Sequence, residues 1–193
     1  MSKVVFDISM SLDGFVTAAN RRPDEPMGDG GQRLHDWALA GSGDDREVLK
    51  RGVEDFGAFI AGRRTFDDSL RWWGPNGPTG DARLPLIVVT HSEPDDVPAG
   101  GVYTFVTDGI ERALQQAREV AGDKNVAVMG GADIGRQFIR AGLVDEIGIH
   151  LVPVLFGSGL RMFEHIGDEH IHLESTELLN TPAATHLRYR IVT

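Results

Sequence analysis

The chain has 193 residues, a formal net charge of -10 and no cysteine. Its length suffices for one well-buried domain, and the lack of cysteine excludes disulfides, thiolate metal sites and cysteine nucleophiles. The negative charge argues against a nucleic-acid surface, which needs a basic patch, but not against a nucleotide cofactor held by a few local arginines.

The first strand is read at Val4 to Met10, running into the turn Ser11-Leu12-Asp13-Gly14. Residues 17 to 33 are rich in Gly, Pro, Asp and Arg and lack periodicity, so a long loop is expected. Leu34 to Leu39 reads as a short helix with Leu34, Trp37 and Ala38 facing inward. Gly43-Asp44-Asp45 opens the next helix, whose apolar face is Val48, Leu49, Val53 and Phe56. Its acids, Asp44, Asp45 and Glu47, stand where a helix start favours negative charge, and capping is their expected role. Ala58 to Gly62 is a second strand, ending in Gly62-Arg63-Arg64-Thr65 at the head of another short helix. Trp72 and Trp73 fall in a turn-rich loop. Leu86 to Thr90 lacks alternation, as a strand buried on both faces does, and ends in Thr90-His91-Ser92.

Val102 to Val106 is a further strand. Thr107 to Glu111 offers a capping box before a helix with Ile110, Ala113, Leu114, Ala117 and Ala121 on one stripe. The stretch from Asn125 to Phe163 then gives strand, turn, helix and strand. Val126 to Met129 stops at Gly130-Gly131, the helix turns Ile134, Phe138 and Ile139 inward and closes at Gly142, and Ile147 to Phe156 resumes as strand. His170 to Leu178 and Ala184 to Val192 read as a C-terminal antiparallel pair. The expected fold is α/β in one domain, residues 1–193: a mostly parallel sheet with antiparallel C-terminal strands and helices on both faces. No apolar run approaches the ~20 residues of a membrane helix. The N-terminus has no signal-peptide core, and a cytoplasmic protein is expected.

Ligands of open α/β sheets bind beyond the carboxyl ends of the strands. Three such ends are polar or glycine-rich here: 62–65, 90–92 and 130–134. Gly130-Gly131 lets backbone approach a ligand closely, and the free N–H groups of the following helix attract anions. Asp133, in that first turn, opposes a phosphate. The guanidinium forks of Arg63 and Arg64, with His91 and Ser92, suit a 2′-phosphate, so NADPH is the economical ligand. No Gly-x-Gly-x-x-Gly fingerprint, P-loop or nucleophile elbow is present. His165, His170 and His172 with Glu164 and Glu169 lack a further ligand at a metal-site spacing, and no metal is expected. His150, in an apolar strand, reads as a hydrogen-bonded core residue.

Gly62-Arg63-Arg64-Thr65-Phe66, Val88-Val89-Thr90-His91-Ser92 and Val128-Met129-Gly130-Gly131-Ala132-Asp133-Ile134 occur in the order seen in dihydrofolate reductases. The segment from Asp145 to Gly159, and Ser9 to Gly14, resemble the reductase domain at the C-terminal end of the bifunctional riboflavin-biosynthesis deaminase-reductase, the RibD C-terminal domain. The resemblance implies a dihydrofolate reductase-like, NADPH-binding fold. Gly62 to Thr65 and Thr90 to Ser92 would hold the 2′-phosphate side. Gly130 to Ile134, namely Gly130, Gly131, Ala132, Asp133 and Ile134, would cradle the pyrophosphate, with the Gly130–Gly131 peptide cis. Val16 and Thr17 would lie beside the nicotinamide, and the domains would pair as a homodimer. Dihydrofolate reductases carry a substrate-binding acid on the first long helix; here Asp13 is the better candidate carboxylate, catalytic or substrate-binding, and Trp37 would help reshape the substrate pocket. The implied activity is hydride transfer to a small heterocycle such as a ribosylamino-pyrimidine. The alternatives are dihydrofolate reduction and a non-catalytic nucleotide-binding module.

Overall fold

The computed structural model describes residues 2–192. In chain order the strands are β1 (Val4–Ser11), β2 (Phe15–Ala18), β3 (Phe56–Gly62), β4 (Leu86–Val89), β5 (Tyr103–Val106), β6 (Asn125–Met129), β7 (Glu146–Val152), β8 (Gly159–Arg161), β9 (His172–Asn180) and β10 (Thr185–Val192). The helices are α1 (Asp36–Ala40), α2 (Gly43–Asp55), α3 (Arg63–Trp73), α4 (Ile110–Ala121) and α5 (Ala132–Arg140). Eight strands form one sheet in the order β5-β4-β3-β6-β1-β7-β10-β9, while β2 and β8 pair separately. Every pairing from β5 to β7 is parallel, and β10 pairs antiparallel with both β7 and β9. The expected mostly parallel sheet with an antiparallel C-terminal pair is what forms.

Side-chain alternation along the central strands divides the apolar residues between two layers. Val4, Phe6 and Ile8 of β1, Ile60, Val126, Val128, Ile147 and Ile149 share a core with the stripes of α4 and α5. Gly135 lets α5 press onto Phe6, because a Cβ at 135 would run into the Phe6 ring. On the opposite face Ala61, Leu86 and Val88 pack with Phe66 of α3. Further along that face Val5, Phe56 and Ala127 form a small cluster, and Leu34, Trp37, Val152 and Ala184 another. Helices on both faces follow from strands that are apolar on both sides.

Three local expectations are corrected. Trp72 and Trp73 end α3 rather than lying in a loop; Trp72 is exposed under the Arg71 guanidinium, and Trp73 packs against the Phe66 cluster. Phe56 is the first residue of β3, since its place beside Val5 and Ala127 wins over the helical stripe. The N-cap of α4 is Gly109 without a side-chain cap, so Thr107 and Glu111 form no capping box. The short strands β2 and β8 carry no periodic signal of their own. They stand because Asp13 clips the turn before β2 onto the segment before β8.

Candidate functional site

Common register brings the polar strand ends together. Gly62 of β3 pairs with Val89 of β4, Ile60 with Val128 of β6, and Met129 with Asp7 of β1. The loops leaving β3, β4 and β6 therefore start side by side. Arg63 Nη1 donates to the Ser92 carbonyl at 2.9 Å, and its Nε donates to Asp67 at 2.8 and 2.9 Å. Thr90 Oγ1 donates to the same carbonyl at 2.7 Å. Thr65 faces the two glycines: a Cβ at 130 would stand 2.5 Å from Thr65 Cγ2, and one at 131 would stand 3.0 Å from Thr65 Oγ1. Arg64 is exposed and 4.0 Å from Asp133 at the head of α5. His91 and Ser92 are exposed, Thr90 and Ile134 are buried, and Ala132 is fully buried. All the trough residues expected from 62–65, 90–92 and 130–134 thus meet at one edge.

Gly130 and Gly131 both take positive φ, 66° and 74°, where a Cβ is strained. No peptide among the described residues is cis, so the Gly130–Gly131 bond is trans; two left-handed glycines in a row make the turn. The Asp133 carboxylate stands between Arg64 and Arg136, 3.5 Å from the latter, which offsets its charge near the helix start.

Next to this edge a chamber of about 670 Å³ opens between α2 and the sheet, a size suited to a small organic ligand. Gly130 and Met129 border it on the trough side. Val48, Leu49, Phe56 and Phe59 give it an apolar wall, and Trp37 from α1 closes one end. Its floor is two cross-strand rows: Asp7, Gly148 and Arg188 in one, Ser9, His150 and His186 in the other. Gly148 is required there, because a Cβ would collide with the Asp7 carboxylate. Trp37 Nε1 donates to Ser9 Oγ at 2.9 Å, and the indole lies 4.1 Å from the His150 ring and 4.9 Å from that of His186.

The floor is one hydrogen-bonded line. Asp45 Oδ1 meets His186 Nε2 at 3.0 Å, His186 Nδ1 meets His150 Nδ1 at 2.8 Å, and His150 Nε2 meets Asp7 Oδ1 at 2.9 Å. Arg188 stands 3.6 Å from Asp7 Oδ2. Burial alone would raise the Asp7 pKa, but the His150 ring and Arg188 outweigh it and hold the carboxyl below its usual value. Burial opposes ionisation of Asp45 too, yet hydrogen bonds from Thr181, His186 and Ser42 bring it down to about 2. Burial pushes His186 below its usual value, against the pull of Asp45. Asp45 also completes a reciprocal capping box with Ser42, so the expected capping role is real and only part of its work.

Asp13, the expected substrate carboxylate, is engaged by its neighbours in two loops. Ser11 Oγ donates to it at 2.6 Å, and the Gly157 and Phe156 N–H groups donate at 2.7 and 3.2 Å. These bonds, against burial, hold it at about 2. It is a clip between two loops and does not line the chamber. Val16 and Thr17 are likewise covered, 5% and 7% exposed, because β8 lies over β2; Thr17 Oγ1 accepts from the Leu160 N–H. Trp37 does reach the chamber. Missed altogether were Asp7, His186 and Arg188, whose meeting depends on which strand lies beside β7.

The sequence profile of the RibD C-terminal domain matches residues 2–187. The chain belongs to that family. YwjB of Bacillus subtilis is 26% identical over 191 residues, covering 95% of this chain and 96% of that protein. Among solved structures, a protein of Shewanella sp. PV-4 assigned to riboflavin biosynthesis is 20% identical with a TM-score of 0.71, each chain covered in full. The dihydrofolate reductase of Enterococcus faecalis, complexed with NADP(H) and RAB-propyl, is 16% identical with a TM-score of 0.62, covering 99% of this chain and 97% of that one. The RibD C-terminal domain described here thus has the dihydrofolate reductase-like fold. Among its described residues no helix is long and apolar enough to cross a membrane.

The hydrogen bonds to Asp13 make stability depend on pH. A carboxyl whose folded pKa is about 2, against an ordinary 3.8, binds fewer protons folded than unfolded between those values. Asp13 and Asp45 therefore stabilise the fold fully above pH 3.8, and this is lost as pH falls toward 2. Urea unfolding of Asp13→Ala is expected to show a lower midpoint at neutral pH and a shallower decline in acid. An unchanged midpoint and acid profile would remove the clip.

Proposed function

We propose that this chain is a single-domain, NADPH-dependent reductase that transfers hydride to a carbonyl or imine carbon of a small heterocycle, a ribosylamino-pyrimidine being the best match. One observation carries the reading: Gly130 borders both the three-loop edge and the chamber, so a dinucleotide along the first would end at the mouth of the second. The residues present fit such a cofactor. Two positive-φ glycines leave bare backbone where a Cβ would clash with Thr65, and Arg63, Arg64, His91 and Ser92 offer cationic and polar groups for phosphate. The family and the likeness to an NADP(H)-complexed reductase support the same cofactor. When bound, it supplies the hydride; the protein supplies alignment and exclusion of water.

The substrate side is built from Trp37, the apolar wall and the polar floor. Trp37 and the phenylalanines offer flat faces for an aromatic ring, and Arg188 an amide-like or anionic partner. Arg51 Nε, in the chamber wall, is buried without an acceptor among the described residues, which favours a substrate carrying an additional oxygen acceptor. Dihydrofolate is disfavoured because the acid of the first long helix, Asp45, is fully buried behind His186. We also read the protein as a homodimer: β9 pairs on one side only and leaves a nine-residue open edge with Leu173 and Leu178 exposed. Light scattering is expected to give twice the 21.0 kDa chain mass, and the mass of one chain would overturn that.

The cofactor assignment is tested by Arg63→Ala. A charge-assisted hydrogen bond contributes about 1.5–3 kcal/mol, so affinity for NADPH should fall roughly 10- to 100-fold while NADH, lacking the 2′-phosphate, changes little. Equal losses for the two would contradict the placement of the phosphate. Oxidation of NADPH by the pyrimidine, and not by dihydrofolate, is the expected substrate result.

A further inference from the structure

The line Asp45–His186–His150–Asp7 contains three hydrogen bonds, and each needs one hydrogen. Two ionised carboxylates and two neutral imidazoles supply only two. Where the third resides follows from the buried end outward. Asp45 accepts from the Ser42 N–H at 2.6 Å, from Ser42 Oγ at 2.8 Å and from Thr181 Oγ1 at 2.7 Å. Thr181 Oγ1 itself accepts from the Ala183 and Ala184 N–H groups, and its one hydrogen goes to the Asp45 carboxylate at 2.7 Å, the shorter and charged acceptor, over the Ala184 carbonyl at 3.0 Å. A carboxyl so surrounded by donors is ionised, so His186 Nε2 must donate to it. Burial disfavours the charged form of His186 despite the pull of Asp45, and the neutral form leaves its Nδ1 bare. His150 Nδ1 must then donate to His186. His150 Nε2 faces Asp7 Oδ1, and that contact holds a hydrogen only if His150 is an imidazolium or Asp7 is protonated.

We propose that the His150–Asp7 pair stores one extra, transferable proton at the chamber floor, positioned there by Asp45 and His186, and that Asp7 delivers it to the substrate. This rests on the reductase reading. As the substrate carbon accepts hydride from the nicotinamide dinucleotide, its C=N or C=O π bond breaks and the heteroatom takes the one proton that Asp7 relays from His150 Nε2 in the same step. Asp7 is left ionised and His150 neutral, the dinucleotide is left oxidised, and solvent restores the proton to His150. Trp37, 4.1 Å from the His150 ring, offers an aromatic face that stabilises the cation. The four groups lie in a row, and among the described residues no three His, Asp or Glu gather to hold a metal instead.

Other charges face the pair. Arg188 and Arg190 from β10, Lys3 from β1, Glu146 from β7, His35 before α1, Arg51 and Asp55 from α2, and Glu177 from β9 line the same chamber. Lys3 and Glu146 pair at 2.5 Å, and Arg51 and Glu177 at 2.9 Å. Arg188 alone touches Asp7, and it favours the ionised carboxylate, placing the resting proton on His150.

The test is Asp45→Asn. Its amide oxygen must keep the Ser42 N–H, which turns the amide N–H₂ toward His186. His186 Nε2 becomes an acceptor, the whole line reverses, and His150 Nε2–H donates to an ionised Asp7 with no proton to spare. Nitrogen-detected NMR of the wild-type protein without ligand is expected to show His186 as the neutral Nε2–H tautomer. It should also show His150 carrying a hydrogen on both ring nitrogens at neutral pH. Asp45→Asn should give the Nδ1–H tautomer at His186 and a neutral His150. In turnover the variant should be slower on the order of 10²-fold at neutral pH. The descending limb of its rate against pH should move to lower pH, while KM for the dinucleotide stays unchanged. A wild-type His150 carrying a single ring hydrogen at neutral pH overturns the proposal, as does a variant with an unshifted pH profile. If the variant does not fold, the wild-type spectrum alone decides. Wild-type spectra as expected, with no turnover of any heterocycle, would leave the stored proton in place and sink the reductase reading instead.

Discussion

Parallel pairing in a common register is the constraint on which everything else depends. β4, β3 and β6 end nearly level, Val89 with Gly62 and Ile60 with Val128, and Met129 at the end of β6 lies beside Asp7 in the middle of β1. Three polar loops and the start of a chamber are thereby stacked along one edge before any side chain is considered. The apolar residues enforce that register, because a slip of one residue would exchange the two faces of every central strand. Phe6, for example, would leave the layer against Gly135 of α5 and enter the side occupied by Asp7 and Ser9.

The two faces of the sheet then do different work. The α4–α5 face is apolar and fully packed. The other carries Asp7, His150, His186 and Arg188, polar groups that the strands hold under α2 and Trp37. These side chains are tolerated at the floor because each is bonded to the next and the line ends in a carboxylate saturated by donors. Gly148 completes the arrangement by its missing side chain. Asp45, the buried acid in the first turn of α2, stands outside the cavity, with the His186 imidazole between it and the chamber.

Much of the fold was legible in the chain. Glycine-terminated apolar runs marked β3 and β6, the continuous run at 86–90 marked a central strand, and the stripe of α4 was clear. That 62–65, 90–92 and 130–134 would share one edge was legible for the same reason, since each follows a strand end. The chamber was not. Asp7 interrupts the apolar run at the start of the chain and gives no local hint that it faces a cavity. His186 and Arg188 reach it only because β10 folds back beside β7, a long-range pairing that periodicity cannot specify. His150 was rightly read as hydrogen-bonded, but its partners lie 36 and 143 residues away. Asp13 misled because a carboxylate at a strand mouth reads equally as a ligand group or as a loop clip, and only the positions of the Phe156 and Gly157 N–H groups separate the two.

The central claim is that one ligand spans the edge and reaches the chamber. Amide chemical shifts followed while NADPH is added would test it most directly. The account predicts that Thr65, Ser92 and Gly131 shift together in one saturable binding event, with Gly130 and the chamber-floor residues Asp7 and Gly148 responding in the same titration. Shifts absent from these positions, or confined to an unconnected surface, would contradict it.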